Sequence, residues 1–467
     1  MTRRKALNLR QFQVVIPLMG LGSAAGVLLS LNGCSGVGNH SVSPPPTQHI
    51  QHVVVIFQEN RSPDNLFQDP VLYQQRGADI AQSGLNSLGQ SVTLTGTTLV
   101  NVYDLNHSHT AFEQMYDGGK MDGADKIHVS CPKKDPDCAP ANPQYMFVNP
   151  ADVQPYFQLA EQYTFGDRMF QTNQGPSFPA HQFIISGTSA PTATSDLFAS
   201  ENMNAGAINA GCIAAPGTFT RLIDPSGDES QTIYPCFEHP TLTDLLHAKG
   251  ISWRYYAPSA GSIWTGPDAI QHMCVPQTQN GQLACTGGPW QNVMIPETQV
   301  LTDIAKHQLA QVTWVIPNGA TSDHAGATDG SGPSWVASIV NAIGNSSYWG
   351  NTAIFITWDD WGGWFDHVAP KVINSYEYGF RVPLIVVSPY AKAAHISHVT
   401  HDFGSILKFI EETYGLPSLG YADAPADDFV DCFDFNQTPL TFQTINAPLG
   451  AEHFLNDTRP PSDPDDD

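Results

Sequence analysis

His52-Val53-Val54-Val55-Ile56-Phe57 runs straight into Gln58-Glu59-Asn60-Arg61. Val53 to Phe57 is apolar without a break and rich in β-branched side chains, the pattern of a strand buried on both faces. Ala353-Ile354-Phe355-Ile356-Thr357 repeats it and runs into Trp358-Asp359-Asp360. Residues 251–256, 311–316 and 384–387 read as further strands. Between them, residues 241–249 put Leu242, Leu245 and Leu246 on one helical face, with Gly250 as the stop. Residues 335–343 and 405–413 read as helices too. Apolar strands alternating with helices predict an α/β fold, a mainly parallel central sheet with helices on both faces.

Such sheets gather their chemistry beyond the carboxyl ends of the strands. Three strands here lead into polar groups: Glu59-Asn60, Asp359-Asp360 and, after Ile316, Ser322-Asp323-His324. Adjacent carboxylates after a buried strand are costly unless a cation joins them. The plain alternatives are a solvated turn for Asp359-Asp360 and a helix cap for Glu59-Asn60-Arg61-Ser62. Gly175-Pro176-Ser177 shapes a turn before an apolar run, so Ser177 falls where a helix begins, near free N–H groups that suit a phosphate. Read locally, Ser177 is a helix N-cap. It is not set in the Gly-x-Ser-x-Gly turn of acyl hydrolases.

The chain has 20 Lys and Arg against 44 Asp and Glu, a formal charge of −24. That balance argues against nucleic acid as a partner. An enzyme of phosphates would then draw positive character from a bound cation and from histidine, of which there are 17. Asp104-Leu105-Asn106-His107-Ser108-His109 and Asp323-His324 are the most suggestive groups, followed by His272 and His367. A histidine beside a phosphate donates to its oxygens and protonates the leaving alkoxide.

The N-terminus reads as an export signal over residues 1–34. Arg3-Arg4-Lys5 precedes an apolar run from Val14 to Leu31, as in twin-arginine signals. Leu31-Asn32-Gly33-Cys34 resembles a lipoprotein processing site, making Cys34 a candidate for lipidation and membrane attachment. A retained anchor is the competing reading, and the run is interrupted by Pro17 and several glycines. The expected location is periplasmic, cell-surface or secreted. Export agrees with the cysteines: Cys131 with Cys138 and Cys274 with Cys285 read as small-loop disulfides, Cys212 and Cys236 could make a third, which leaves Cys432 over, and the sequence does not fix the connectivity. Residues 35–48 read as a linker, 49–450 as one catalytic domain, and 451–467 as a solvated, acidic, Pro-rich tail. Oligomeric state is open.

Six blocks carry a resemblance to a known family: HIQHVVVIFQENRSPDNLF, DLNHSHTAFEQMYDGGKMDG, QGPSFPAH, SDHAGATDGSGPSWVASIVNAIGNSSYW, NTAIFITWDDWGGWFDHV and GFRVPLIVVSPYAK. In this order they resemble the phosphoesterase family that holds bacterial phosphatidylcholine-type phospholipases C and an acid phosphatase. The resemblance implies an alkaline-phosphatase-like core. It implies a metal site of Glu59, Asn60, Ser177, Asp359 and Asp360, with Ser177 as the nucleophile. It implies Asn60, His107 and His324 on the substrate phosphate, with a further catalytic histidine aligned to His272. The Asp359-Asp360 pair looks closer to the acid-phosphatase type, since many of the phospholipases have Asp-Glu. Pro63 departs from a position often aromatic, and the C-terminal β-domains of the large phospholipases are expected to be absent.

The expected function is therefore an exported, metal-dependent phosphoesterase, acid-phosphatase-like, acting on phosphate esters. The metal is a divalent ion, Mg²⁺, Ca²⁺, Mn²⁺ and Zn²⁺ not being distinguished. One alternative is a phospholipase C on phospholipid, with Trp361, Trp364 and Phe365 either boxing a choline or packing the core. The other is an inactive metal- or ligand-binding surface lipoprotein.

Overall fold

A computed structural model of the chain describes residues 49–204 and 206–462. The export signal, Cys34 and the linker fall outside the described residues, as does the end of the acidic tail. No helix among the described residues is long and apolar enough to cross a membrane.

The first apolar run forms β1 (His52–Gln58). The other strands of its sheet are β2 (Thr164–Gly166), β3 (Trp253–Tyr256), β4 (Val293–Met294), β5 (Val312–Val315), β6 (Thr352–Trp358), β7 (Leu384–Val387) and β8 (His395–Ser397). They lie in the order β4-β3-β5-β1-β6-β7-β2-β8. β1 is central and parallel to both neighbours, with Val53 opposite Val312 on one side and Ala353 on the other. β7 runs antiparallel to β6 and to β2. The sheet is thus α/β and mostly parallel, with one reversed strand that apolar runs alone do not reveal. β2, β4 and β8 are too short to show a periodicity.

The α-helices of five residues or more are α1 (His109–Tyr116), α2 (Gln154–Gln162), α3 (Ser177–Ser186), α4 (Leu242–Lys249), α5 (Gln299–Ala305), α6 (Gly332–Gly344), α7 (Phe403–Tyr414) and α8 (Ala451–Leu455). Local chemistry sets their ends. Thr241 and Asp244 make a capping box for α4, and Gly250 takes the left-handed φ of 73° that stops it. Asp402 caps α7 and moves its start two residues ahead of the predicted Ser405. Strand alternation then decides what covers each face. Phe355 of β6 meets Phe409 of α7 at 5.1 Å, and Trp358, three residues on, meets Tyr156 of α2 at 5.1 Å. Residues three apart in a strand point to opposite faces, so helices cover both.

The three expected disulfides are formed, Cys131–Cys138, Cys212–Cys236 and Cys274–Cys285, and Cys432 is a buried free thiol. The tail differs from its sequence reading as far as residue 462. Phe454 of α8 is 1 % exposed, with its ring 5.2 Å from that of Trp335 on α6. Arg459 pairs with Asp329 at 2.7 Å, and Ser462 O accepts from Gly319 N. The acidic composition hid one apolar side chain that pins the segment down. Phe454→Ala should cost about 3 kcal/mol in urea unfolding, the usual range for emptying such a site. A loss below about 0.5 kcal/mol would mean that this segment is not part of the folded unit.

Candidate functional site

Parallel pairing brings the two acidic motifs together. Gln58 stands opposite Trp358 at the end of β1 and β6, and Asp359 N donates to Gln58 O at 3.0 Å. Glu59-Asn60 and Asp359-Asp360 therefore leave the sheet side by side. Asn60 takes φ of 63°, a left-handed conformation that asparagine tolerates, and its N–H donates to Asp359 Oδ1 at 3.0 Å. Gly362, at φ of 64°, lies against this turn: a Cβ there would fall 2.2 Å from Asn60 O. Its N–H donates to Asp360 Oδ1 at 2.7 Å.

Ser177 is the first residue of α3, whose cap position is Pro176 with no side-chain cap bond. Its hydroxyl does not cap the helix but faces the carboxylates. Oγ donates to Asp359 Oδ2 at 2.5 Å and lies 3.4 Å from Asp360 Oδ2. Asn202 Oδ1 accepts from Phe178 N at 2.9 Å, holding that first turn.

Two expected histidines arrive at the same place. His107 Nδ1 donates to Leu105 O at 2.8 Å, which leaves Nε2 to accept from Asn60 Nδ2, also at 2.8 Å. His107 thereby fixes the amide of Asn60. His324 Nδ1 donates to Ala325 O at 2.6 Å, and its ring lies 5.8 Å from that of His107. His272 is a correction. Its Nδ1 bonds Glu238 at 2.9 Å, its Nε2 lies 3.2 Å from Asp244, and 28 % of its side chain is exposed. It is turned toward the first turn of α4, not toward the carboxylates. The histidine after Ser177 that joins the group is His181, with Nε2 3.3 Å from Glu59 Oε1 and 3.8 Å from Asp359 Oδ2. Sequence reading missed it, although its four-residue spacing from Ser177 puts both on one face of a helix.

A second layer locks the motifs. Arg61 Nε donates to Asp323 O at 2.8 Å, and Nη1 to Asn65 Oδ1 at 3.2 Å, while the guanidinium lies 4.8 Å from the Trp364 ring. Asp323 Oδ2 accepts from Tyr156 OH at 2.8 Å and from Trp358 Nε1 at 3.0 Å. Burial pushes this carboxyl up to about 6, and the charge of Arg61 works the other way. The network thus ties together the neighbours of Asn60, His324 and Asp359. Trp361, Trp364 and Phe365 are at most 3 % exposed and belong to an apolar cluster with Leu105, Phe112 and Phe380. They are core packing.

Glu59, Asp359 and Asp360 are fully buried, and Arg61 turns its donors away from them. Asn60 Oδ1 is a buried amide oxygen with no hydrogen-bond partner among the described residues. Glu59, His181 and Asp359 offer ligand atoms all within 4.8 Å of one another. Converging buried oxygens with one orphaned carbonyl fit a divalent cation. A second acidic group, Asp64, Asp366 and His367, has the same spacing but is neutralised from within. Arg381 Nη2 lies 3.2 Å from Asp64 and Nε 2.9 Å from Asp366. His367 bonds Asp64 at 2.6 Å and Asp79 at 2.9 Å. That cluster is an ion-pair network.

Strand-end carboxylates, an amide, histidines and a hydroxyl at a helix start define a hydrolase-type site in an α/β sheet. The chain belongs to the phosphoesterase family, whose model matches residues 50–417. It is 25% identical over 475 residues to phospholipase C B of Mycobacterium tuberculosis, covering 89% of this chain and 84% of that protein. It is 24% identical over 448 residues to hemolytic phospholipase C of Pseudomonas aeruginosa, covering 83% of this chain but only 56% of that longer protein. Non-specific phospholipase C6 of Arabidopsis thaliana is 23% identical over 456 residues, covering 88% of this chain and 76% of that protein. Among solved structures, an alkaline phosphatase superfamily protein from Vibrio parahaemolyticus aligns at a TM-score of 0.35 and 10% identity, covering 82% of this chain and 72% of that one.

The ion-pair cluster has a pH signature. Burial disfavours the His367 cation, but the bond to Asp64 and the charges of Asp64 and Asp366 outweigh it, raising its pKa to about 9. A folded pKa above the unfolded value gives stability that is fully present below about pH 6.5 and is lost as pH rises through 9. Allowing for the partial exposure of the ring, the term is about 2 kcal/mol. His367→Gln should lower unfolding stability by about that amount at pH 6 and by much less at pH 10. An equal loss at both would show that charge is not the reason.

Proposed function

We propose that this chain is an exported, metal-dependent phosphoesterase that hydrolyses phosphate esters through Ser177. The observation that carries this reading is the Ser177 hydroxyl, 2.5 Å from Asp359 and at the first turn of α3. The hydroxyl lies at the positive end of the α3 dipole, and its proton has a carboxylate to go to. Oγ attacks phosphorus in line, the bond to the leaving alcohol breaks, and a phosphoserine results. His324, when protonated at both nitrogens, supplies the proton for the leaving alkoxide. Water then releases phosphate. Glu59, Asn60, Asp359 and Asp360 would hold the divalent ion, which when bound lowers the pKa of the hydroxyl and offsets phosphate charge. His107 acts through Asn60, by holding its amide nitrogen and so fixing the orientation of the side chain.

An acid-phosphatase-like phosphomonoesterase is the first reading, because the Asp359-Asp360 pair resembles that type more closely and the three aromatic residues near it are core. A phospholipase C is the second, favoured by the relatives, which bear that name. Location at the cell surface, in the periplasm or outside the cell follows from the N-terminal segment and extends this proposal. Ser177→Ala should reduce turnover of an aryl phosphate by about a thousandfold or more while metal binding persists. Near-normal turnover would remove Ser177 as nucleophile. Faster cleavage of phosphatidylcholine than of the aryl phosphate by the unaltered protein would select the second reading.

A further inference from the structure

His181 presents a nitrogen where the rest of the cluster presents oxygen. It sits one turn beyond Ser177 on α3, is fully buried, and aims Nε2 at Glu59 and Asp359. Its other nitrogen is directed by Tyr255. Tyr255 OH donates to Trp264 O at 3.0 Å, so the phenol proton is committed there. The phenol oxygen then accepts, from Gly266 N at 3.3 Å and from His181 Nδ1 at 3.5 Å. A proton on Nδ1 makes Nε2 the lone-pair nitrogen, and Nε2 is the atom facing the two carboxylates. Ligand histidines of metal sites are prepared in this way, with the remote N–H held by an outer oxygen. Gly266 is a tight part of the same support: a Cβ there would lie 2.3 Å from His181 O.

We propose that His181 is a nitrogen ligand of the cation held by Glu59 and Asp359, with Tyr255 as its positioning residue. The site would then favour a borderline ion such as Zn²⁺ over the hard ions Mg²⁺ and Ca²⁺. An all-oxygen shell would discriminate less in this direction, since imidazole suits Zn²⁺ and poorly rewards Mg²⁺ or Ca²⁺. This inference rests on the reading that the cluster holds a metal at all.

The test uses the full chain, stripped by chelation, and reads binding of Zn²⁺, Mg²⁺ and Ca²⁺ by calorimetry, with the visible spectrum of a Co²⁺ complex. His181→Gln keeps the bulk and offers only a hard oxygen. It should weaken Zn²⁺ by about tenfold to a hundredfold, leave Mg²⁺ little changed, and shift the Co²⁺ bands. Tyr255→Phe keeps the ring and removes the acceptor. It should weaken Zn²⁺ several-fold with the same selectivity, and it carries the test if His181→Gln does not fold. An unchanged Zn²⁺-to-Mg²⁺ ratio in the folded variants would overturn the proposal and make His181 an imidazolium counter-ion. If the unaltered protein binds none of these ions, the metal reading itself falls and the proposal with it.

Discussion

Three carboxylates, Glu59, Asp359 and Asp360, are buried together at the ends of two adjacent strands. Few arrangements are less favourable in a folded chain, because each charge has lost its water and lies close to others of its sign. Most of the local structure can be read as what makes this arrangement tolerable. The Asn60 and Gly362 N–H groups each donate to a carboxylate oxygen, as does the Ser177 hydroxyl. Those neutral donors spread the charge but do not cancel it. A cation does, which is why the orphaned oxygen of Asn60 belongs to the same account.

The ion-pair cluster around Arg381 shows the opposite solution in the same molecule. Asp64 and Asp366 are equally buried, yet a guanidinium and a raised histidine sit among them. Similar side chains at similar spacing are thus closed by a guanidinium in one place and could hold a metal ion in the other. What separates the two is the kind of partner the chain supplies, arginine in one and imidazole, amide and hydroxyl in the other. Acidic composition alone carries no information on that point.

Much of the fold was legible because continuous apolar strands leave a strong signal. β1, β5 and β6 stood close to their observed limits, and with them the meeting of Glu59-Asn60 with Asp359-Asp360. The reversal of β7 was not legible, since an apolar run has no direction. Ser177 was ambiguous for a physical reason: a serine at a helix start is a cap unless something beyond the helix claims its hydroxyl, and that partner lies 182 residues away. His272 was placed by order along the chain, which says nothing of where a loop turns. His181 was hidden in an apolar helix, where one polar ring looks like a core histidine. The segment after residue 450 read as tail because its composition outweighed Phe454.

Ser177 and His181 share one helical turn. They are therefore not two independent features but two points on a single rotating body. An inserted or deleted residue between them would turn one relative to the other by about 100° and take the pair off a common face. The four-residue spacing of Ser177 and His181 is thus under as strict a geometric demand as the identity of either side chain.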